Sequence, residues 1–207
     1  MSDVAQEALA GFDVSRETIE RLTVFGDLVR KWNPKINLVS KASLETLWTR
    51  HFVDSLQVFQ VAKPSGHWVD IGSGGGFPGL VIAIAAMEIE ADLRFTLIES
   101  DQRKCAFLRA VLRETGCDAK VLAKRIESVD PQQADILSAR ALADLGALFS
   151  FCDRHLKPDG LALFPKGVSW KKEVDNAAKQ WNFTADAITS LTEPNAVILK
   201  IRGIARV

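Results

Sequence analysis

The sequence predicts an α/β fold: a mostly parallel seven-stranded sheet with helices on both faces, an antiparallel C-terminal hairpin and an N-terminal helical extension. Three observations predict it. From residue 67 onward, short strand-like apolar runs alternate with segments of helical period, and such alternation places a mostly parallel sheet between helices. The last two strand-like runs flank Glu193-Pro194-Asn195. That turn is too short for a parallel crossover, so the two runs must pair antiparallel. The first 66 residues show helical periodicity and no strand pattern. The expected division is therefore residues 1–66 as the extension and 67–207 as the sheet domain.

Each element has its own warrant. Ile19, Leu22, Phe25, Val29 and Trp32 recur at three- and four-residue steps and make one apolar face. That helix is expected to stop near Asn33-Pro34, because proline disfavours helical geometry in the residue before it. A second helix is expected from Ser43, a good N-cap. Its buried stripe would be Leu44, Leu47, Trp48, His51, Phe52, Leu56 and Phe59. Pro64-Ser65-Gly66 then breaks the chain. Strands are expected over 67–71, 94–99, 120–123, 134–138, 160–165, 182–191 and 196–202. The intervening helices are expected over 79–87, 102–115, 141–155 and 168–180.

Composition narrows the class. The chain has 207 residues, long enough for a large core. Hydrophobic and charged fractions of 47% and 25% are those of a soluble globular protein. No apolar run is long enough to span a membrane. The N-terminus has no basic segment followed by an apolar one, so no secretory signal is expected. Cys105, Cys117 and Cys152 are odd in number and scattered, which suits buried thiols in a reducing cytoplasm. The three histidines have no ligand spacing, and no metal site is expected. Acids and bases balance at 26 each, so no global nucleic-acid signature exists. Their distribution is uneven: one Lys/Arg against five Asp/Glu from His67 to Glu99, then thirteen against nine from Ser100 to Lys172. Either a local basic face or a solvated mixed surface fits that pattern.

The stretch from Val69 to Gly79, VDIGSGGGFPG, carries the most chemistry. An apolar strand ends in Asp70 and passes through glycines into a helix start. Glycines there let a ligand approach the main chain closely. Pro78 suits the first helical turn, and the free N–H groups of that turn favour a polar or anionic ligand edge. Gly74, Gly76 and Gly79 fit G-x-G-x-x-G, the pattern of NAD or FAD sites. Asp70 followed by Gly72, Gly74 and Gly76 in alternation fits the spacing of S-adenosylmethionine (SAM) sites equally well. The loop alone leaves both open.

Glu99 ends the second strand about 20 residues after the loop, where an acid can accept from both ribose hydroxyls. It indicates a nucleoside without choosing one. Lys124-Arg125-Ile126-Glu127 follows the third strand, where backbone groups can pair with an adenine edge while Ile126 covers its face. Arg140 follows the fourth strand and Lys166-Gly167 the fifth. Both lie where open α/β sheets bind ligands. Arg140 suits a cofactor, an RNA phosphate or a structural ion pair. An antiparallel hairpin closing such a sheet belongs to class I SAM-dependent methyltransferases rather than to dinucleotide dehydrogenases.

Several motifs now occur in order: Trp32-Asn33-x-x-Ile36-Asn37-Leu38, Arg50-His51-x-x-Asp54-Ser55-Leu56, the glycine loop, Ser138-x-Arg140-Ala141 and Lys166-Gly167. Together they resemble the small-subunit (16S) ribosomal RNA methyltransferase G family, also called glucose-inhibited division protein B. The resemblance spans about Phe25 to Arg202. It implies methyl transfer from SAM to N7 of one guanine of 16S rRNA, in the loop beside the decoding centre. It also implies that Gly72, Phe77, Ile126, Glu127 and Arg140 contact the cofactor. The implied partner is 16S rRNA or the small ribosomal subunit, with no DNA and no membrane, and the protein is expected to be a cytoplasmic monomer.

The expected cofactor residues are thus Asp70, Gly72, Gly74, Gly76, Phe77, Glu99, Ile126, Glu127 and Arg140. Lys35, Arg50, His51 and Lys166 are the candidate substrate residues. Lys31, Lys35, Lys41 and Arg50 could join Arg125, Lys166, Lys171 and Lys172 in a positive rim. Read from the residues alone, Arg50 and Asp54 are an exposed i,i+4 ion pair and His51 is a core histidine. The resemblance sets a substrate-holding or site-closing role beside that reading. No catalytic residue is expected, because the N7 lone pair of guanine carries no proton and needs no general base. Two alternatives remain at this point: an NAD-dependent oxidoreductase and a non-catalytic RNA-binding module.

Overall fold

The computed structural model describes residues 3–62, 64–89 and 92–207. Met1, Ser2 and Lys63 of the expected extension lie outside the described residues, as do Glu90 and Ala91. The chain begins with helices α1 (Asp3–Ala8), α2 (Arg16–Ile36) and α3 (Lys41–Glu45), a π-helical turn (Trp48–Val53) and α4 (Asp54–Val61). There follow β1 (Gly66–Ile71), α5 (Gly79–Ala85), β2 (Leu93–Glu99), α6 (Gln102–Thr115), β3 (Lys120–Ala123), β4 (Ala134–Ser138), α7 (Leu145–His155), β5 (Leu156–Lys166), α8 (Trp170–Ala177), β6 (Trp181–Thr189) and β7 (Val197–Arg206).

The strands form one sheet in the order β3-β2-β1-β4-β5-β7-β6. β1 to β5 are parallel, while β7 runs antiparallel to both β5 and β6. The chain winds outward from β1 to β3, then returns to β4 on the other side of β1. The order reverses between β1 and β4, and ligands of such sheets bind at that switch point, outside the carboxyl ends.

Alternation along β1 feeds two cores. Trp68 faces one that includes Leu80, Phe107, Leu108 and, from the extension, Leu22, Phe25, Phe52 and Leu56. Val69 and Ile71 face the other, with Leu137, Phe149, Phe164 and Leu199. The helices before residue 66 therefore share a core with the sheet. Burying each such large apolar side chain is worth about 1.5–3 kcal/mol.

Several boundaries differ from expectation. α2 runs to Ile36 rather than stopping at Asn33-Pro34. Pro34 sits in the last turn, so the hydrogen bond it cannot donate is lost only near the helix end. Asn37 closes that end in the left-handed region at φ 47°, its N–H reaching the Asn33 carbonyl. The Asn33 side chain accepts from the Val39 N–H at 2.9 Å and fixes the exit of the chain.

Ser40, not Ser43, is the cap of the next helix; its hydroxyl accepts from the Ser43 N–H. The expected continuous second helix is three pieces, because the π-helical turn interrupts it. α7 starts at Leu145 rather than Ala141, where the Asp144 carboxylate caps the Ala147 N–H. Ala141 itself is left-handed at φ 52° and cannot begin a helix. α8 is shorter than expected, β5 begins earlier, and the hairpin strands are displaced by a few residues.

Candidate functional site

Two cavities open at the carboxyl edge. The first, about 600 Å³, lies over the glycine loop and is also lined by Leu38, Glu99, Ile126 and Arg140. The second, about 470 Å³, lies between the π-helical turn, the end of β5 and the turn joining β6 to β7. His51, Arg140 and Ala141 line both, so they form the partition between them.

The expected cofactor residues divide into two groups. Gly72, Gly74, Phe77, Glu99, Ile126, Glu127 and Arg140 all line the first cavity. Asp70 and Gly76 stand behind its wall. Asp70 is buried beside Ser138, its register partner in β4. Trp68 Nε1 donates to Ser138 Oγ at 2.9 Å, and that hydroxyl donates to Asp70 Oδ1 at 2.6 Å. Asp70 Oδ2 is buried and has no hydrogen-bond partner among the described residues. Burial pushes the Asp70 carboxyl up to about 6, against the Ser138 hydrogen bond and the field of Arg140. Gly79 is essential to this packing, since a Cβ there would enter the Asp70 side chain. Gly76 packs into the core instead, against Phe25 and Leu80.

Gly74 faces the open side. At its φ of 53°, a Cβ would meet only the Gly72 carbonyl, at 3.7 Å. Its N–H donates to Glu99 Oε2 at 2.9 Å, while Asp101 N–H donates to Glu99 Oε1 at 2.8 Å. Glu99 thus ties the glycine loop to the end of β2. Each of its oxygens keeps a second lone pair for a ligand.

The extension braces the loop from the other side. Phe77 stacks on Phe25 with centroids 5.1 Å apart and meets Phe52 edge-on at 5.5 Å. The His51 ring lies 4.8 Å from Phe77, and the Arg140 guanidinium lies 5.4 Å from the Phe77 centroid. Leu38, just past the Asn37 cap, has its carbonyl 3.2 Å from where a Gly75 Cβ would stand. Position by position, sequence reasoning missed Leu38, Val39, Lys104 and Leu142 as lining of the first cavity. The Asn33 and Asn37 spacing was the available signal for Leu38: two residues that cap and turn a helix end also aim the next residues of the chain.

Arg140 is the centre of the partition. One amino group donates to the Arg50 carbonyl at 3.1 Å and the other to His51 Nδ1. Asp54 pairs with it at 3.9 Å. Burial lowers Arg140 to about 10, partly offset by Asp54 and Asp70. A guanidinium can only donate, so His51 Nδ1 accepts and Nε2 carries the hydrogen. Nε2 is buried and lacks a partner among the described residues. Burial, followed by Arg140 and Arg50, lowers His51 to about 3. The ring is therefore neutral at physiological pH.

The candidate substrate residues are not one set. Arg50 and Asp54 do not pair with each other: Arg50 approaches Glu193 at 4.0 Å, and Asp54 pairs with Arg140. The cause is the π-helical turn, which breaks the α-helical angular step that brings i and i+4 together. Lys166 lines the second cavity, but its ammonium is engaged by Glu173 at 2.7 Å and the Ala143 carbonyl at 2.8 Å. It is no part of a free positive rim. Lys35 is exposed at the end of α2 and lines neither cavity.

Residues 18–199 match the family model described as rRNA small subunit methyltransferase G, GidB. The chain belongs to this family. Among similar proteins, the ribosomal RNA small subunit methyltransferase G of Ruegeria pomeroyi is 63% identical over 195 residues, 94% of this chain and 96% of the relative. That of Cereibacter sphaeroides is 48% identical over 203 residues, 98% of each. Of solved structures, a SAM-dependent methyltransferase from Aquifex aeolicus superposes with a TM-score of 0.57 at 11% identity, covering 85% of this chain and 96% of that one.

The fold is that of class I SAM-dependent methyltransferases. Membership of the GidB family makes the protein a methyltransferase with SAM as its cofactor. The nicotinamide oxidoreductase and the non-catalytic RNA-binding alternatives fall with that result.

Proposed function

We propose that this protein transfers the methyl group of SAM to N7 of a single guanine in 16S rRNA, in the loop beside the decoding centre. Methylation of small-subunit ribosomal RNA is the coarser statement, and family membership carries it. The finer reading rests chiefly on one observation: the imidazole on the partition cannot serve as a base. His51 Nδ1 is occupied by Arg140 and its Nε2 already carries a hydrogen. A nucleophile with a free lone pair and no proton to lose, such as guanine N7, suits that arrangement.

The residues present fit the cofactor. The first cavity has the size of a small-molecule site. Its glycine loop is open on the Gly74 side, and Glu99 has acceptor capacity to spare. Glu99 would hold the ribose hydroxyls, Ile126 would cover the adenine and Gly72 to Gly75 would pass along the amino-acid end. When bound, SAM supplies an electrophilic methyl on a sulfonium. Arg140 and His51 keep the partition ordered, and rate enhancement comes from proximity and alignment.

The proposal extends to the rest of the chain. Residues 1–66 are an RNA-facing extension on a sheet domain of 67–207. Lys35, Arg50, His51 and Lys166 serve the substrate side, Lys166 by holding the cavity wall. The enzyme acts as a cytoplasmic monomer, without DNA or membrane. Among the described residues no helix is long and apolar enough to cross a membrane. The test is chemical: N7-methylguanine is cationic and labile, so borohydride and aniline should cut enzyme-treated 16S rRNA at the modified base. Methylated RNA that resists this cleavage excludes N7.

A further inference from the structure

The second cavity has no assigned occupant. It adjoins the cofactor cavity across His51, Arg140 and Ala141. Three carboxylates line it, and two are committed. Asp54 accepts from Gln57 Nε2 at 2.9 Å and from the Thr192 hydroxyl, and it pairs with Arg140. Glu173 takes the Lys166 ammonium. The Glu193 carboxylate meets only the Arg50 guanidinium among the described residues, at 4.0 Å, beyond hydrogen-bond length, and its side chain is 45% exposed. Its turn is nonetheless held firmly. Gln57, buried in α4, accepts from the Leu191 N–H at 2.9 Å and donates to Ser190 Oγ at 3.1 Å. Glu193 is thus an acceptor with free capacity on a fixed frame, with Arg50 opposite.

We propose that the second cavity receives the target guanine, flipped out of its RNA, and that Glu193 reads its Watson–Crick edge by accepting from N1–H and the exocyclic N2 amino group. This inference rests on the guanine-N7 reading above. Enzymes that modify a base take it out of the stack and recognise it by that edge and by stacking. His51, Arg140 and Ala141 wall both cavities, so a base in the second can meet the methyl only at the edge of that partition, with N7 turned toward it. The donors of the Watson–Crick edge then point away from the partition, where an acceptor is required. A carboxylate accepting from both gives charge-assisted bonds. The planar Arg50 guanidinium, 4.0 Å from that carboxylate, is suited to lie against the face of the base.

The test uses small-subunit particles reconstituted with guanosine or inosine at the target position. Inosine keeps N7, O6 and N1–H but lacks the N2 amino group. The wild-type enzyme should methylate the inosine particle with a kcat/KM lower by about tenfold or more, the size expected for one hydrogen bond to a charged group. Glu193→Ala should lose activity on guanosine and show little further loss with inosine, while keeping native affinity for S-adenosylhomocysteine. Equal wild-type rates on the two particles overturn the inference, and so does a Glu193→Ala enzyme that still discriminates. The wild-type comparison stands even if the variant fails to fold. A wild-type enzyme that leaves no methyl on guanosine N7 overturns the functional reading itself, and this inference with it.

Discussion

Glu99 and Asp70 are two carboxylates at the ends of neighbouring strands, with opposite fates. Glu99 borders a cavity and accepts from two main-chain N–H groups. Its proposed ribose contact predicts that Glu99→Ala weakens S-adenosylhomocysteine binding by about 1.5–3 kcal/mol. Titration calorimetry reads this directly, and unchanged affinity would remove Glu99 from the site. Asp70 is sealed in the sheet, and its carboxyl is raised from 3.8 to about 6 by burial. Below the lower value both folded and unfolded chains are protonated there. As pH rises from about 4 to 6, the unfolded chain releases the proton first, so the folded state loses stability across that window. A shift of that size corresponds to about 3 kcal/mol. Urea unfolding should therefore show Asp70→Asn gaining on the wild type between pH 4 and pH 7. A constant gap would mean that Asp70 is not so perturbed. The position of both acids was legible from strand ends and glycine spacing. Which one borders the cavity was not, because that depends on Ser138 and Gly79, brought beside Asp70 only by the sheet and the α5 turn.

Elements with strong local signals emerged as expected. α6, with its Asp101 cap and Gly116 terminus, matches its expected span, and so do β3 and β4. The extension was legible as helical and as an apolar stripe, but the π-helical turn within it was not. Its extra residue per turn leaves the stripe of Trp48, His51 and Phe52 buried while separating Arg50 from Asp54. Nothing in local propensity announces that; the Arg50 carbonyl within the turn accepts from Arg140, distant in sequence. The end of β5 shows the same limit. Lys166 read as a free base at the mouth, yet it joins α8 to the segment before α7 through Glu173 and Ala143. Its side chain is 10% exposed. Lys166→Met should cost about 2 kcal/mol of stability, the scale of a lost charged hydrogen bond, with S-adenosylhomocysteine affinity unchanged. Denaturant midpoints and calorimetry decide it; a fully stable variant would make the lysine a free substrate contact after all.

Across the whole molecule, exposed bases lie both on the N-terminal helices and at the mouth of the first cavity. The lining of the first cavity comes after residue 66 apart from Leu38, Val39 and His51. Lys31, Lys35 and Lys41 are exposed on the extension, and Lys124 and Arg125 are exposed at the lip of the first cavity. Neutralising RNA phosphates along such a surface releases counterions, so RNA binding should fall steeply with salt. SAM carries almost no net charge and should respond little. Lys35→Gln with Lys41→Gln should therefore weaken methylation of ribosomal particles and flatten its salt dependence, with SAM affinity near native. Normal methylation by that pair across a salt series would remove the extension from the RNA surface. Loss of SAM binding would instead give these lysines a part in the fold.

The stack of Phe25 on Phe77 has one more consequence. A ring from α2 rests on a ring of the glycine loop, and Phe52 closes the cluster edge-on. Any local opening that lifts α2 must uncover the loop, so the two belong to one cooperative unit. A ligand that stabilises the loop stabilises that unit by mass action. Amides of α2 should then exchange with deuterium more slowly when the cofactor cavity is filled, although that helix contributes no lining residue to it.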